Sequence, residues 1–364
     1  MKAEPRFWFR DPSRAQAFAA LLTRLAPPHP VKIVHVCGTH ENTIAQFGLR
    51  SLLPENLQVF EGPGCPVCVT PTQDLNAAIQ LALDGAILCT FGDMTRVPGT
   101  QRTLAQARGE GADVRVVLSA ADAVDVARKN PGRQVVFFAV GFETTAPGTA
   151  AVLLDSPPPN FAVWSSHKLI PPALEALMES SPGSIGAFLA PGHVSTVIGS
   201  QAYAEVARRY RVPVVVAGFE PLDMLYALVA ALRLIGAGRA EVVNAYARAV
   251  RPEGNLKAQE LIARVFEAQD ARWRGVGTIP CSGLALREEF VSWDAAKKFQ
   301  VRAEEGEDHP PGCLCPEIVM ARALPSQCPL FRSRCTPQTP VGPCMVGVEG
   351  ACNVWYRYGG RPEL

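Results

Sequence analysis

Six short runs rich in β-branched residues divide the middle of this chain, and each ends in a glycine-containing loop that leads into a helical pattern. The runs are Ile33 to Glu41, Gly85 to Asp93, Val114 to Asp122, Gln134 to Thr145, Gly186 to Ser195 and Val212 to Pro221. Strands that are apolar on both faces and alternate with helices are typical of parallel sheets covered on both sides. Reactive side chains gather in such sheets where strands end and helices begin. The sequence therefore predicts an α/β fold with its polar loop residues at the carboxyl ends of the strands.

The spacing of these runs predicts two similar parallel-sheet α/β domains, because 364 residues are too many for one ordinary core. A polar break at residues 129–132 separates the two groups of runs. We expect residues 1–128 to form the first α/β domain and residues 129–238 the second. Helical patterns over residues 240–250 and 255–266 then lead into a tail rich in Pro, Gly and Cys. Residues 239–364 are therefore expected to form a helical, loop-rich C-terminal domain that needs a metal centre to hold it together.

Composition and charge exclude several classes of protein. The net charge is +1, from 35 basic and 34 acidic residues, which gives no electrostatic footprint for nucleic acid or an anionic membrane. The longest apolar stretch, Met224 to Gly238, is interrupted by Arg233 and is shorter than the roughly 20 residues of a spanning helix. No glycine precedes a lysine, so there is no phosphate-binding P-loop. The first residues also lack the features of a secretory signal, and we expect a cytoplasmic protein.

The cysteines form two separated sets. They are Cys37, Cys65, Cys68 and Cys89 near the start, and Cys281, Cys313, Cys315, Cys328, Cys335, Cys344 and Cys352 near the end. Since no secretory signal is recognised, reduced thiols that bind metal or exchange electrons are expected instead of a disulfide framework. Cys89, inside an apolar run, and Cys281 are interpreted as buried packing residues.

Four tail cysteines have the most informative spacing. Intervals of 14, 6 and 16 residues separate Cys313, Cys328, Cys335 and Cys352. Four thiolates are what a [4Fe-4S] cluster or a structural zinc site requires. The open spacing lacks the paired C-x-x-C knuckles typical of zinc, so it favours the cluster without excluding zinc. Cys315 is an alternative to Cys313 as a ligand, although Cys315 and the neighbouring Cys344 are both interpreted as bystanders.

Cys65 and Cys68 form a C-P-V-C motif on a glycine-rich loop ahead of a helical pattern that starts near Thr72. Cysteines in this position can close a disulfide, and a helix N-terminus lowers the pKa of a thiol. The motif is also half of many zinc sites. Redox exchange and metal binding therefore both remain open for this pair.

Cys37 ends the first β-branched run and opens the segment Cys-Gly-Thr-His-Glu. Gly38 allows a turn and Thr39 can cap the following helix. A thiol at this position is expected to be exposed in an electropositive environment, with His40 and Glu41 close enough to exchange protons with it. We therefore interpret Cys37 and His40 as functional residues.

Five ordered motifs give the chain a resemblance to the hydrogenase maturation (formation) protein HypD family. They are Cys-Gly-Thr-His-Glu at 37–41, Gly-Pro-Gly-Cys-Pro-Val-Cys at 62–68, Gly-Phe-Glu-Thr-Thr-Ala-Pro at 141–147, Pro-Gly-His-Val-Ser at 191–195 and the four spaced tail cysteines. The resemblance covers essentially the whole chain.

The resemblance implies a scaffold and redox protein for assembly of the Fe(CN)2CO group of [NiFe]-hydrogenases. It implies partnership with a HypC-type chaperone and transfer of cyanide from a HypE-type donor. Carried onto this sequence, Cys37 is the iron-binding thiol, with His40 nearby as a possible ligand or proton-transfer group, and Cys65 and Cys68 are the redox pair. The implied [4Fe-4S] ligands are Cys313, Cys328, Cys335 and Cys352. Soft thiolate donors suit such an iron.

Other polar loop residues have less specific interpretations. Glu143, Thr144 and Thr145 follow a strand and either face the iron across a cleft or cap the loop. His193 and Ser195 occupy a similar loop, and Asp93, Thr95 and Arg96 are candidates for partner or domain contacts. An alternative function is a stand-alone dithiol-disulfide oxidoreductase whose tail metal is only structural.

Overall fold

The strands and helices alternate along most of the chain. A computed structural model describes residues 9–301 and 306–360. The strands within these residues are β1 (Val31–His35), β2 (Leu57–Glu61), β3 (Ile87–Thr90), β4 (Val114–Val116), β5 (Val135–Gly141), β6 (Phe161–His167), β7 (Ala187–Pro191), β8 (Val214–Ala217), β9 (Val242–Asn244), β10 (Phe266–Trp273) and β11 (Gly277–Leu286). The α-helices are α1 (Pro12–Leu25), α2 (Gly38–Gln46), α3 (Pro66–Val69), α4 (Thr72–Leu83), α5 (Leu104–Gly109), α6 (Ala120–Lys129), α7 (Ala146–Leu154), α8 (Ile170–Ser180), α9 (Gly192–Ile198), α10 (Ala204–Tyr210), α11 (Pro221–Gly236), α12 (Leu256–Val265), α13 (Ala295–Phe299), α14 (Cys315–Val319) and α15 (Ala351–Tyr358). Short 3₁₀ segments occur at Leu49–Leu52, Gly92–Arg96, Ser200–Tyr203, Glu288–Trp293, Pro325–Gln327 and Pro343–Met345.

Two parallel sheets form the centre of the molecule. The first contains five strands in the order β2-β1-β7-β8-β9, and the second contains four in the order β4-β3-β5-β6. All neighbouring strands in both sheets are parallel. Every residue of β5 and β8 is buried, as expected for strands covered by helices on both faces. The predicted α/β fold class with two parallel sheets is confirmed.

The chain leaves the first sheet after β2 and returns to it at β7. Ile33 of β1 pairs with Val59 on one side and with Ala187 on the other. The intervening strands make the second sheet, in which β3 pairs directly with β5. The boundary expected between residues 128 and 129 therefore falls inside the second sheet, and each sheet takes strands from both sides of it. Consecutive strands are usually neighbours, and that tendency does not hold where the chain inserts one sheet into another.

The region after β8 differs in part from the predicted helices. Residues 242–244 form β9 beside β8, with Val214 opposite Val242, where a helix was expected. β-Branched valines suit an edge position in a sheet, and this part of the helix prediction is wrong. The helix expected over residues 255–266 is confirmed as α12, and the Asn255 side chain accepts a hydrogen bond from Ala258 N at its start. The antiparallel hairpin β10-β11 was not predicted.

The C-terminal tail packs against the first sheet where β1 and β2 end. Most of its buried cysteines share a hydrophobic core with Val34 and Val36. Trp355 of α15 donates a hydrogen bond from Nε1 to Glu41 Oε1 at 2.6 Å. The predicted loop-rich character of this region is confirmed, and the tail covers the edge of the sheet that carries the polar loops. Across residues 9–301 and 306–360, none of the helices has the length and apolar character needed to cross a membrane.

Candidate thiol and metal site

Cys37 lies at the carboxyl end of β1 and immediately precedes α2. Its extended backbone (φ −158°, ψ 124°) makes it the N-cap residue of that helix, which begins at Gly38. The residue is only 7% exposed. Burial, with a smaller effect from the nearby Glu349 carboxylate, raises the pKa of Cys37 to about 12. The expectation of an exposed thiol in an electropositive environment is therefore wrong. A thiol with this pKa keeps its proton at neutral pH until a cation displaces it.

Two other segments pack directly against Cys37. A Cβ on Gly64 would overlap the backbone nitrogen of Cys37, so only glycine permits this approach of the loop after β2. A Cβ on Gly38 would likewise overlap the backbone of Glu349 in the tail. Thr39 was expected to cap α2, but its hydroxyl instead donates to Glu349 Oε1 at 2.5 Å. The β1 end, the C-P-V-C loop and the tail therefore meet at one point.

His40 is a fully buried, neutral residue of α2. Its Nε2 lies 3.3 Å from Ala217 O, which can only accept a hydrogen bond, so Nε2 carries the proton and Nδ1 presents a lone pair. Among the described residues Nδ1 has no hydrogen-bond partner. Burial, followed by the proximity of His35, lowers the pKa of His40 to about 3. At neutral pH this imidazole has the character of a ligand, and it is not a cationic proton donor.

Glu41 does not face Cys37. Arg50 Nη2 donates to Glu41 Oε2 at 2.7 Å, and His35 Nε2 lies 2.8 Å from the same oxygen. The indole of Trp355 occupies the other oxygen. The expected proton exchange between Glu41 and Cys37 is therefore wrong, since both carboxylate oxygens are committed to holding β1, α2 and α15 together.

Cys65 and Cys68 form a disulfide on the loop after β2. Cys65 caps the short helix α3, and its Sγ accepts a hydrogen bond from Cys68 N at 3.3 Å. The next helix begins at Thr72, as the sequence predicted. Both cysteines are 3% exposed. They line a small internal cavity together with Glu61 and Cys344.

Glu143 and Thr144 follow β5, at the edge of the second sheet. Glu143 is 2% exposed, and its Oε1 accepts a hydrogen bond from Ile170 N at the start of α8. Its Oε2 is buried without a partner in the described part of the chain. Burial raises the pKa of Glu143 to about 7. Glu143 and Cys37, in their ionised forms, both raise the pKa of Tyr203, so the two residues lie near the same buried tyrosine. Thr144, in contrast, is exposed.

The remaining loop candidates lie around the same edge. The ring of His193 stacks on Phe219 with centroids 3.8 Å apart. Ser195 is buried and hydrogen-bonded to Tyr203 Oη at 3.1 Å. Asp93 and Arg96 contact the tail instead: Arg96 donates to the carbonyl of residue 346, and Asp93 accepts from the backbone of residue 348. These two residues therefore join the second sheet to the tail.

The tail cysteines converge on Cys315. The neighbouring thiols of Cys313, Cys344 and Cys352 stabilise the Cys315 thiolate and lower the pKa of Cys315. Cys335 lies close enough to Cys315 for the two groups to interact electrostatically, and Cys328 acts in the same way on Cys313 and Cys335. All six therefore belong to one cluster, whose members are Cys313, Cys315, Cys328, Cys335, Cys344 and Cys352. Cys315 and Cys344 were interpreted as bystanders, and sequence spacing alone did not place them here.

The donor set of this cluster fits a [4Fe-4S] group. Backbone N–H groups donate to the sulfur of Cys335, including Val341 N at 3.4 Å, and such hydrogen bonds are typical of cluster-ligating sulfurs. A Cβ on Gly342 would lie 2.8 Å from Cys313 Sγ, so a glycine leaves space beside the thiols. The buried cation of Arg274 is near enough to respond to Cys315 and offsets negative charge. For a single ion, no group of three or more His, Cys, Asp or Glu side chains in residues 9–301 and 306–360 has a suitable arrangement. When bound, a [4Fe-4S] group supplies one-electron transfer.

The two cysteines interpreted as packing residues behave differently. Cys89 is fully buried in β3, as predicted. Cys281 is exposed, with a positive φ of 50°, so its interpretation as a buried residue is wrong. Asp270 holds this unusual backbone by accepting a hydrogen bond from Cys281 N at 3.0 Å. The apolar residues around Cys281 in the sequence gave no indication that β11 turns outward here.

The fold and the site define a thiol-rich α/β protein with two adjoining groups of buried cysteines. A protein-family model for HypD, described as "Hydrogenase formation hypA family", matches residues 13–359. A putative hydrogenase expression/formation protein of Methanocaldococcus jannaschii is 45% identical over 331 residues, covering 90% of this chain and 92% of that protein. Hydrogenase maturation factor HypD of Azotobacter vinelandii is 45% identical over 363 residues, covering 96% of both chains. Its counterpart in Escherichia coli is 45% identical over 334 residues, covering 90% of this chain and 89% of that protein.

The chain belongs to the HypD family, and its role is in hydrogenase maturation. The resemblance carried by the five motifs is confirmed at the level of the family.

Proposed function

We propose that this protein is a scaffold and redox factor on which the Fe(CN)2CO group of [NiFe]-hydrogenase is assembled. The observation that carries the proposal is the meeting of three thiol systems at one sheet edge. The Cys37 backbone touches the loop of Cys65 and Cys68, and that disulfide shares a cavity with Cys344 of the tail cluster. A site that must hold iron and also exchange electrons needs such an arrangement of soft donors beside redox-active groups.

Cys37 is the proposed ligand of the iron being assembled, which is the cargo of this protein. Its burial favours the thiol until a metal cation takes the place of the proton, so iron binding releases one proton at neutral pH. The lone pair of His40 Nδ1 is a second candidate donor. Glu143, with a pKa of about 7, is suited to receive a proton in the same buried region. Thr144 follows Glu143 in this loop and is exposed.

The disulfide and the tail supply the redox part of the proposal. Cys313, Cys328, Cys335 and Cys352 are the proposed ligands of the [4Fe-4S] cluster. Cys315 is the alternative to Cys313, because its sulfur lies among the other thiols. Cys344 lines the same cavity as Cys65 and Cys68, so the tail thiols adjoin the C-P-V-C disulfide.

The proposed partners are a HypC-type chaperone, which shares the iron, and a HypE-type cyanide donor. Reduced tail thiols and an oxygen-sensitive cluster fit a cytoplasmic location. The near-zero net charge favours protein partners over nucleic acid.

Infrared spectroscopy tests the scaffold proposal. The chain is purified without oxygen together with a HypC-type chaperone, as wild type and as Cys37→Ala, and cyanide and carbonyl stretching bands are recorded. We expect bands in the wild type and none in Cys37→Ala, with equal visible absorption from the cluster in both. Bands of equal intensity in Cys37→Ala would refute iron binding through this thiol.

The disulfide favours a second candidate function, that of a stand-alone dithiol-disulfide oxidoreductase. This function predicts turnover of a generic disulfide substrate that is lost in Cys65→Ser and retained in Cys37→Ala. The 3% exposure of both redox cysteines argues against a bulky disulfide substrate.

A further inference from the structure

Glu61 has a buried carboxyl group beside the C-P-V-C disulfide, and it has no role in the proposed assembly of the Fe(CN)2CO group. It is the last residue of β2 and lies opposite His35 of β1. The residue is 7% exposed. Within residues 9–301 and 306–360, no hydrogen-bond donor or acceptor reaches its Oε2. An unpartnered buried carboxyl oxygen costs free energy, so its presence calls for an explanation.

A small cavity lies between the carboxyl group of Glu61 and the cysteine sulfurs. Glu61, Cys65, Cys68 and Cys344 all line it. Its volume is about 10 Å³, which accommodates a single water at most. A proton therefore passes between Glu61 and the sulfurs either directly or through one water.

The charges around Glu61 favour its protonated form. Burial raises the pKa of Glu61, and the negative charges of Glu41 and Glu349 raise it further, against the opposing effect of Arg50. Arg50 donates a hydrogen bond to Glu41, and the pKa of Glu41 is lowered even though this carboxyl group is buried. The pKa values of these two neighbouring carboxyl groups are therefore shifted in opposite directions, so that Glu41 is ionised and Glu61 is protonated. Such a pair of opposite shifts is typical of groups that act as acid and base.

We propose that Glu61 is the proton donor and acceptor for the Cys65–Cys68 disulfide. This inference rests on the proposed redox role of that pair. When the thiolate of a dithiol reductant attacks one sulfur, the S–S bond breaks and its electron pair leaves on the other sulfur. That leaving thiolate takes the proton of Glu61 and becomes a thiol.

The second thiol of the reductant completes the reaction. It attacks the mixed disulfide, releases the remaining cysteine sulfur, and leaves as part of a new disulfide. The two protons lost by the dithiol restore Glu61 and protonate the second cysteine. The disulfide is thereby reduced by two electrons and two protons, and the dithiol is oxidised by the same amount.

The test is the pH dependence of disulfide reduction in the full-length, oxygen-free protein. Dithiothreitol is the probe, the reaction is stopped with iodoacetamide, and mass spectrometry counts alkylation of Cys65 and Cys68. Rates are expressed per dithiothreitol thiolate. The variants are Glu61→Gln, which removes the proton while preserving the shape, and Glu317→Gln as a matched control. Glu317 lies on α14 next to two residues that line the cavity, but it is partly exposed and is not among the lining residues.

In the wild type and in Glu317→Gln we expect the rate to fall as the pH rises through the pKa of Glu61. In Glu61→Gln we expect a rate lower by roughly 100-fold or more at pH 7, and we expect no fall of the rate with rising pH. Glu61→Asp keeps a proton on a shorter side chain, and should retain the shape of the pH profile at a reduced rate. If Glu61→Gln does not fold, this second variant still decides the question.

Two results would overturn the inference alone. One is a folded Glu61→Gln with the wild-type rate and profile, and the other is a loss of rate by the same factor at every pH, which would indicate a structural role. A wild-type disulfide that dithiothreitol fails to reduce at any pH would instead remove the redox role of the pair, and with it the inference.

Discussion

The substitution Glu143→Gln is expected to stabilise the protein above neutral pH. Glu143 is fully buried, and its pKa rises from an ordinary value of 4.5 to about 7. At about 1.4 kcal/mol per pH unit, this change corresponds to about 3 kcal/mol. The folded state keeps the carboxyl proton between pH 4.5 and 7, whereas the unfolded state releases it. The free energy of unfolding therefore falls as the pH rises through this range, and the loss is complete above pH 7.

Glutamine reproduces the protonated carboxyl without its titration. Its side-chain oxygen can still accept the hydrogen bond from Ile170 N that Glu143 accepts at 2.9 Å. The two proteins should consequently have similar stability at pH 4.5, and Glu143→Gln should be more stable by up to about 3 kcal/mol at pH 8. Comparing variant with wild type cancels the contributions of all other titrating groups.

Urea unfolding at half-unit steps from pH 4.5 to 8 measures this difference, with both proteins in the same cluster-loaded state. Hydrogen exchange at Ile170 N provides a local readout, because its protection depends on the same carboxyl. A stability difference that stays constant with pH would refute the assignment of a raised pKa to Glu143. So would a difference that grows toward acid.

Three further predictions follow from other parts of the site. Gly64→Ala forces a methyl group against the backbone at the end of β1 and should lower the free energy of unfolding by about 1 to 3 kcal/mol. Gly132→Ala, with open space around it, should lower it by less than about 0.5 kcal/mol, and equal losses in urea unfolding would contradict the close packing. His40, with a pKa of about 3, should show no change in its ring NMR signals between pH 5 and 8, and a titration near pH 6.5 would contradict its burial as a neutral imidazole. Cys313→Ala should lose the visible absorption and most of the iron and sulfide of the tail cluster, while Cys281→Ala, at an exposed position, should keep them. If both variants kept the iron and the absorption, the cluster would have a different set of ligands.

The sequence pattern was sufficient to predict the strands that are buried on both faces. The apolar runs that became β3, β5 and β8 were recognisable because all of their residues face a covered side. β2 escaped notice, because its buried and exposed residues alternate over only five positions. The pairing of β1 with β7 was also beyond reach, since parallel strands of similar composition carry no mark that distinguishes one neighbour from another.

The site was predictable in its residue types but not in its environment. The position of Cys37 at a strand end and that of Cys65 on a loop ahead of a helix followed from local pattern. The burial of Cys37 did not, because Glu349, which packs against the adjacent Gly38, belongs to a distant tail loop. For the same reason the grouping of Cys315 with Cys344 appeared only once the loops were folded.

The insertion of the second sheet into the first has a consequence for synthesis on the ribosome. Cys37 and the C-P-V-C loop emerge early, on two strands that lack their neighbour until Ala187 has been made. The packing of Glu349 against Gly38 becomes possible only after residue 349 has been made. Until then Cys37 and the C-P-V-C loop lack both the neighbouring strand β7 and the packing of the tail. A chain that stops before residue 349 would therefore lack the tail contact beside Cys37.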